Sequence, residues 1–190
     1  MMRIISGTAR GIRLKTLEGD ATRPTAERTK EAVFSILQGD IEGRDVLDLF
    51  AGSGQMGLEA ISRGAASAVL IDKSLDAVKI IKENAIKTRL ESKCDIRKDE
   101  YLSYLKKNTG KKFDIIFIDP PYSSGFYQPS LDALLVGEYL KNTTLIICES
   151  GEENIFGANS QLDKSFRIIK KSRYGRAFIT ILMPQSKEQA

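Results

Sequence analysis

Residues 48–57 of this 190-residue chain read DLFAGSGQMG, with glycines at positions 52, 54 and 57. The apolar stretch before them is typical of a buried strand, and the stretch after them is typical of a helix. A Gly-x-Gly-x-x-Gly turn between a strand and a helix lets the main chain approach a ligand closely, because glycine has no Cβ atom. The turn therefore predicts either a dinucleotide site or a site for a methyl donor.

Strand-like and helix-like stretches alternate along the chain from residue 44 onward. Apolar stretches predict strands at residues 45–50, 68–71, 94–97, 113–119, 144–148, 166–171 and 177–183. Helical periodicity predicts helices at residues 56–62, 75–89, 101–107 and 130–140. Such an alternation is typical of βαβ units in an α/β protein. Only a short segment with Tyr174-Gly175 joins the last two strands, so we predict a Rossmann-like, mixed seven-stranded sheet with an antiparallel last strand.

The first 40 residues precede this pattern and predict a small N-terminal extension packed on the core. Residues 2–17 contain two short apolar stretches around a glycine-containing segment, which suits a hairpin. Residues 22–37 are typical of a helix with Pro24 at its entry and Thr25 as its candidate cap. The composition, 42% hydrophobic and 28% charged, is that of a compact domain, so we expect residues 1–190 to form a single domain.

The residue types present exclude several kinds of chemistry. The chain has no histidine, which removes Ser-His-Asp and Cys-His catalysis. Cys94 and Cys148 lie in apolar stretches typical of reduced core residues, and without histidine they offer no zinc cluster, so we expect no metal. No apolar run reaches the roughly 18 residues of a membrane span, and the start lacks a secretory leader. We therefore expect a cytoplasmic protein with no membrane partner.

Positive charge is concentrated near the two ends of the sequence, although the net charge is only +4. These two segments predict a surface that faces nucleic-acid phosphates, and a merely solvated face is the alternative interpretation. The residues concerned are Arg3, Arg10, Arg13, Lys15, Lys164, Arg167, Lys170, Lys171, Arg173 and Arg176.

Acidic residues after the first three predicted strands discriminate between the two ligands of the glycine turn. Both ligands need an acid about 20 residues downstream for their ribose hydroxyls, and Asp72 meets that need. Asp48 precedes the turn, where its carboxylate can bind the ammonium of a methionine moiety but would serve a pyrophosphate poorly. Asp99-Glu100-Tyr101 follows the third strand, where an adenine edge would lie. These acids favour the methyl donor, although Asp99 can instead be only a cap of the next helix.

Residues 119–122 read Asp-Pro-Pro-Tyr and follow the fourth predicted strand, at the end of the sheet where open α/β proteins bind ligands. An amino group on a nucleic-acid base is a poor nucleophile, and the Asp119 carboxylate and the Pro120 carbonyl can accept its N–H hydrogens. Two successive prolines fix these acceptors, because each holds φ at about −65°. Tyr122 can stack on the base. The alternative interpretation is a turn that only ends the strand.

The glycine turn together with Asp-Pro-Pro-Tyr resembles the class I methyltransferases that modify amino nitrogens. A narrower resemblance, spanning nearly the whole chain, is to the RsmD-type 16S ribosomal RNA (guanine-N2) methyltransferases. It rests on RIISG at residues 3–7, RPT at 23–25, LEAISRGA at 58–65 and Tyr174-Gly175. The resemblance implies S-adenosyl-L-methionine as the cofactor and the N2 of one guanine as the target. That guanine would be guanine 966, in the usual bacterial numbering, of the 16S rRNA in the 30S subunit or an assembly intermediate.

The resemblance also assigns roles to individual residues. The base pocket would consist of the catalytic residues Asp119, Pro120, Pro121 and Tyr122. The donor would be held by Asp48, Phe50, Ala51, Gly52, Ser53, Gly54, Asp72, Lys73, Asp99, Glu100 and Tyr101. The RNA would be contacted by Arg3, Arg10, Arg13, Arg23, Thr25, Arg28, Tyr174 and Arg176.

Three other functions stay open at the level of sequence. A methyltransferase acting on adenine N6 in DNA or RNA is one, because the tetrapeptide does not distinguish the two amino groups. A nicotinamide-dependent oxidoreductase would use the glycine turn but leave residues 119–122 without a role. A non-catalytic RNA-binding assembly factor would keep the fold and lose the chemistry. We expect a monomer, since a small enzyme that acts on a large particle needs no partner subunit.

Overall fold

The computed structural model describes residues 2–17, 24–121, 125–157 and 160–185, with the side chains of residues 24–26 and 160 outside that description. The elements in chain order are α1 (Pro24–Ile36), β1 (Asp45–Asp48), α2 (Gln55–Ser62), β2 (Ser67–Asp72), α3 (Leu75–Thr88), β3 (Cys94–Lys98), α4 (Tyr101–Lys107), β4 (Phe113–Ile118), α5 (Tyr127–Val136), β5 (Leu140–Ser150), α6 (Ser160–Ser165), β6 (Phe166–Tyr174) and β7 (Ala177–Pro184). A short 3-10 turn, Glu91–Lys93, precedes β3.

The strands form one mixed seven-stranded sheet in the order β3-β2-β1-β4-β5-β7-β6. The first five strands pair in parallel, and β7 runs antiparallel to both β5 and β6. The predicted α/β fold and the antiparallel last strand are therefore confirmed. The direction of strand addition reverses between β1 and β4, and such a reversal opens a crevice at the carboxyl ends of the strands.

The structure corrects three details of the sequence prediction. The helix expected at residues 130–140 is α5, which begins and ends earlier, and Leu140 already starts β5. The cause is local, because Gly137 ends α5 and Glu138 adopts a positive φ of 55°. The helix α6 has no counterpart in the prediction. Finally, β7 lies between β5 and β6, so the edge of the sheet is formed by β6 and not by the last strand of the chain.

Two apolar clusters cover the two faces of the sheet. The first contains residues of the N-terminal segment and of α1, α2 and α3, and the second contains residues of α4, α5 and α6. Alternate residues of β4 contribute to each, so that Phe117 belongs to the first cluster and Ile118 to the second. Because both faces are covered, every residue of β4 is buried and the strand reads as a nearly continuous apolar run.

The N-terminal residues form a small antiparallel hairpin that docks on α2. Its two arms are bridged by Arg3 and Arg13. The buried Glu59 carboxylate of α2 accepts hydrogen bonds from the main-chain amides of Ile5 at 2.7 Å and Ser6 at 3.0 Å. These bonds attach the hairpin to the helical layer on one face of the sheet.

Glu59 also neutralises two cations inside the protein. Its carboxylate lies 3.4 Å from the Lys30 ammonium of α1 and 2.8 Å from the Arg63 guanidinium. Lys30 and Glu59 are both buried. Burial lowers the pKa of Lys30, and the negative charge of Glu59 opposes that shift. A single buried carboxylate therefore joins the hairpin, α1 and α2.

Two further expectations concern the cysteines and the membrane. Cys148 in β5 is buried and Cys94 at the start of β3 is half-buried, and both carry free thiols, as expected for reduced residues. Within the part of the chain that the structure describes, no helix combines the length and the apolar character that crossing a membrane requires.

Candidate active site

A cavity of about 590 Å³ opens at the carboxyl ends of β1, β2 and β4. Its position matches the reversal of strand order, and its volume lies in the range of small-ligand sites. Most residues that the sequence assigns to the donor and to the base pocket line this cavity. They are Asp48, Phe50, Ala51, Gly52, Ser53, Asp72, Lys73, Asp99, Glu100, Tyr101, Asp119, Pro120 and Pro121.

The glycines of the turn between β1 and α2 have different structural roles. Gly52 has a φ of 54°, and a Cβ atom built on it would meet nothing within 4 Å, so the main chain faces open space there. Gly54, with a φ of 79°, directly precedes α2; the sequence assigns it to the donor site, but it is not among the residues that line the cavity. A Cβ atom on Gly57 would lie 2.8 Å from the Leu70 side chain. The third glycine therefore lets α2 pack closely on β2.

The Asp72 carboxylate at the end of β2 holds this turn in position. One of its oxygens accepts a hydrogen bond from the Gly52 amide at 2.9 Å, and the other accepts one from the Ser74 amide at 2.8 Å. A carboxylate has about four lone-pair sites, so both oxygens retain acceptor capacity for hydroxyl groups of a ligand. Lys73 beside it is exposed and lines the same cavity.

Asp48, the last residue of β1, places a buried carboxyl group in the cavity wall. The residue is 2% exposed, and its Oδ2 atom has no hydrogen-bond partner among the described residues. Burial raises the pKa of Asp48 to about 7; hydrogen bonds from the Gly57 and Phe50 amides oppose the shift, and the charge of Asp72 adds to it. A buried carboxylate is costly unless it is neutralised, so the position suits a ligand that carries a cationic group.

The acids after β3 have more local roles than the sequence predicts. Glu100 lines the cavity, but its Oε2 atom caps α4 by accepting hydrogen bonds from the amides of Leu102 at 2.9 Å and Ser103 at 3.1 Å. Asp99 accepts a hydrogen bond from the Glu100 amide and forms an ion pair with Lys107 at 3.2 Å. Burial acts to raise the pKa of Asp99, but these partners outweigh it and hold the pKa below its ordinary value. Asp99 therefore stays ionised beside the cavity.

Three aromatic rings form one wall of the cavity. The centroid of the Phe50 ring lies 4.9 Å from that of Tyr101 and 5.7 Å from that of Phe126, and the Tyr101 and Phe126 centroids are 5.9 Å apart. Tilted and edge-on contacts of this kind leave flat apolar faces that can stack on a heteroaromatic ring. Phe126 is absent from the predicted site, since nothing in the sequence around it separates it from an ordinary core residue.

Asp119, Pro120 and Pro121 follow β4 directly and bring the predicted base pocket into the same cavity. Pro120 is buried, whereas Asp119 and Pro121 are exposed. Because β1 and β4 are neighbours, Asp119 and Asp48 reach one cavity from adjacent strand ends. Tyr122, the fourth residue of the predicted pocket, lies outside the described residues. The two prolines fix the main chain next to Asp119 at the cavity wall.

Several residues of the cavity wall are missing from the sequence prediction. Glu149 follows the predicted strand 144–148 directly, so the strand-end rule that identifies Asp119 could have found it. The N-terminal segment reaches the wall because Asn84 of α3 accepts from the Lys15 amide at 2.8 Å and donates to the Ser53 carbonyl at 2.9 Å. No sequence pattern signals that contact. The additional wall residues are Met2, Thr16, Leu17, Leu49, Gln55, Met56, Ser74, Phe126 and Glu149.

The residues predicted to contact RNA are less uniform than the sequence suggests. Arg3 forms an ion pair with Glu27 at 2.9 Å, and Lys15 forms one with Glu83 at 2.8 Å, so the N-terminal positive charge is partly neutralised. Tyr174 is half-buried against the core. Arg23 and the side chain of Thr25 lie outside the described residues. The predicted RNA-contacting residues that are exposed are Arg3, Arg10, Arg13, Arg28 and Arg176.

The fold and the cavity at the strand-order reversal define a class I methyltransferase. The solved structure of the putative methyltransferase yhhF from Escherichia coli matches this chain with a TM-score of 0.83 and 27% identity, over 98% of this chain and 99% of that chain.

Residues 2–183 match the model of the family described as Conserved hypothetical protein 95, and the chain belongs to this family. The Bacillus subtilis protein named Putative rRNA methyltransferase YlbH is 36% identical over 80% of this chain and 84% of its own length. Ribosomal RNA small subunit methyltransferase D of Escherichia coli is 34% identical over 80% of this chain and 76% of its own length. The family resemblance found in the sequence is thereby confirmed.

Proposed function

We propose that the protein transfers a methyl group from S-adenosyl-L-methionine to the exocyclic N2 of a guanine in 16S rRNA, guanine 966 in the usual bacterial numbering. The observation that carries this proposal is that Asp48 and the segment Asp119-Pro120-Pro121 line one cavity. The first fits a cationic donor, and the second fits an amino group. Relatives named ribosomal RNA small subunit methyltransferase D support the choice of RNA.

The donor half of the cavity fits each part of S-adenosyl-L-methionine. The unpartnered Oδ2 atom of Asp48 can accept from the ammonium of the methionine moiety. Asp72, which still has acceptor capacity, can bind the ribose hydroxyls. The rings of Phe50, Tyr101 and Phe126 supply faces for the adenine, and the ionised Asp99 lies at the same end. When bound, this cofactor supplies a methyl group on a positively charged sulfur, which leaves as the thioether of S-adenosylhomocysteine.

The acceptor half of the cavity activates a weak nucleophile by positioning it. The lone pair of a guanine amino group is delocalised into the ring, so the nitrogen must become pyramidal before it can attack. The Asp119 carboxylate and the Pro120 carbonyl accept hydrogen bonds from its two N–H groups and favour that geometry. As the N–C bond forms, the nitrogen becomes cationic and releases one proton to Asp119 or to water. The chemistry needs no histidine, in agreement with the composition of the chain.

Exposed arginines lie near the edge of the sheet where the cavity opens. In register, Ser150 of β5 pairs with Phe178 of β7, and Phe178 pairs with Arg173 of β6. The turn after Tyr174, which contains the exposed Arg176, therefore extends beyond the same edge as Asp119. Arginines at such a rim can bind phosphates on either side of a nucleotide that enters the cavity.

Methyl transfer to ribosomal particles tests this function. We would incubate 30S particles and naked 16S rRNA, both from a strain without this methyltransferase, with the protein and methyl-labelled S-adenosyl-L-methionine. Digestion to nucleosides and mapping of the label should give N2-methylguanosine at one position. N6-methyladenosine would contradict the guanine assignment, and tight binding without transfer would instead indicate a non-catalytic assembly factor.

A further inference from the structure

Glu149 lies beside Asp119 at the carboxyl edge of the sheet. The parallel strands β4 and β5 pair Ile118 with Cys148. Asp119 and Glu149 directly follow the two residues of this pair, so they lie side by side where the paired part of the strands ends. Neighbouring strands are about 4.8 Å apart. Both residues line the cavity. Two carboxyl-bearing residues from adjacent strand ends therefore line the same cavity.

The alternation of side chains places these two groups on one face of the sheet. Phe117 of β4 and Ile147 of β5 both pack in the cluster that contains α1, α2 and α3. Asp119 and Glu149 each follow two residues later, and residues two apart in a strand point to the same face. Both carboxyl groups therefore lie on one side of the cavity, next to each other and not across it.

The surroundings of Glu149 leave its carboxyl group available to a ligand. The strand is held on one side by the pairing of Glu149 with Ile179, and the Glu149 carbonyl accepts a hydrogen bond from the Tyr127 hydroxyl. Burial raises the pKa of Glu149. Among the residues that the structure describes, no lysine or arginine forms an ion pair with Glu149, in contrast to Asp99 and Asp114.

We propose that Glu149 determines the specificity for guanine, by accepting a hydrogen bond from the guanine N1–H while Asp119 holds the adjacent N2 amino group. This inference rests on the proposed methylation of guanine N2. The Watson–Crick edge of guanine presents N1–H and N2–H donors side by side, whereas adenine has an unprotonated N1 that only accepts. The N1–H donor favours the ionised form of Glu149 against the effect of burial, and an ionised carboxylate only accepts, so it attracts guanine and repels adenine. The pair Asp119 and Glu149 thus matches two neighbouring donors with two neighbouring acceptors.

Replacement of the target guanine by 2-aminopurine tests this contact, because 2-aminopurine keeps the amino group and lacks the N1–H. Small-subunit particles would be reconstituted with 16S rRNA that carries either base at the methylated position. For the unmodified protein, kcat/KM should be about 100-fold lower on 2-aminopurine, since a carboxylate then faces a base nitrogen that cannot donate. Glu149→Gln should lower kcat/KM on guanine and raise it on 2-aminopurine, because the amide NH2 can donate to the unprotonated N1, so the preference for guanine should shrink from about 100-fold to below about tenfold.

Three controls accompany this comparison. Glu152→Gln, at an exposed position in the loop after β5, should leave kcat/KM unchanged on both substrates. Glu149→Asp, which keeps the charge, should restore part of the guanine preference. Calorimetry with S-adenosylhomocysteine should give the same affinity for Glu149→Gln as for the unmodified protein.

Two results would overturn the role of Glu149 and leave the proposed function intact. One is that the unmodified protein methylates guanine, but Glu149→Gln changes kcat/KM on guanine and on 2-aminopurine by the same factor or changes neither value. The other is a loss of S-adenosylhomocysteine affinity as large as the loss of turnover, which would place Glu149 in the donor half. If the unmodified protein transfers no methyl group to guanine at all, the proposed function fails and the inference fails with it.

Discussion

The carboxylate of Asp72 accepts a hydrogen bond from the main-chain amide of Gly52 at 2.9 Å. This hydrogen bond joins the end of β2 to the glycine turn after β1. The same carboxylate also accepts from the Ser74 amide, so the start of α3 is attached to the same point. Bonds between protein groups thus fix the shape of the proposed donor half of the cavity, and a site fixed in this way lowers the cost of binding.

Asp72→Ala should weaken donor binding and leave the fold intact. The substitution removes the acceptor of the Gly52 amide and the proposed acceptor of the ribose hydroxyls, so we expect the affinity for S-adenosylhomocysteine to fall by roughly 10- to 100-fold. Calorimetry would measure it. Asp76→Ala is the matched control, because Asp76 is exposed on α3 and pairs only with Lys79 among the described residues. Equal affinities for the two variants would contradict the role of Asp72.

Donor binding should release a proton from Asp48. The pKa of this carboxyl group is about 7 without a donor, and an ammonium beside it favours the ionised form. Donor affinity should therefore be highest above pH 7 and fall by up to about tenfold per pH unit below it. At pH 6, calorimetry in buffers of different ionisation enthalpy should report a released proton. Donor binding to Asp48→Asn should release no proton. If donor binding to the unmodified protein also released no proton, the role assigned to Asp48 would be contradicted.

The same raised pKa also affects the stability of the donor-free protein. Because the pKa is raised from 3.8 to about 7, the contribution of Asp48 to stability is fully present below pH 3.8 and is lost as the pH rises through about 7. Asp48→Asn should remove this part of the pH dependence. Urea unfolding of both proteins at several pH values would measure the difference.

Asp119→Ala should separate turnover from donor binding. The carboxylate is proposed to hold the acceptor amine, so its loss should lower kcat by roughly 100- to 1,000-fold, as for the loss of other catalytic hydrogen-bond partners. The affinity for S-adenosylhomocysteine should stay within about twofold, because the donor is held by residues of other strands. Asp132→Ala, at an exposed position on α5, is the control for a general effect of removing a carboxylate. A parallel loss of donor affinity would remove Asp119 from the acceptor half.

Glu59→Gln should destabilise the fold, because it leaves the buried Lys30 ammonium without its counter-charge. Breaking a buried ion pair from one side typically costs about 3 kcal/mol or more. The free energy of unfolding in urea should fall by about that amount. Glu83→Gln breaks the exposed pair with Lys15 and should change it by less than about 1 kcal/mol. A similar small effect of both substitutions would show that the buried pair with Lys30 contributes little to the stability of the fold.

The part of the site built on strand ends could be predicted from sequence, because a parallel sheet brings the carboxyl ends of its strands to one edge. Asp48, Asp72 and Asp119 each end or follow a clear apolar run, and all three line the cavity. Their common location follows from the alternation of strands and helices alone. The same reasoning applied to the end of β5 would have included Glu149.

The remaining features depend on tertiary contacts that leave no pattern in the sequence. Glu100 and Asp99 are adjacent acids, and only the geometry of the first turn of α4 selects Glu100 as the cap. The N-terminal segment reaches the cavity through hydrogen bonds to Asn84, which lies 69 residues from Lys15. The boundary between α5 and β5 depends on the positive φ of Glu138, a residue with no strong preference for that conformation.

Calorimetric titration of the purified protein with S-adenosylhomocysteine tests the central claim most directly, namely that the cavity beside Asp48 and Asp119 is a methyl-donor site. The account predicts binding of one molecule per chain, and no response to NAD under the same conditions. Failure to bind S-adenosylhomocysteine, or saturable binding of NAD in its place, would contradict it.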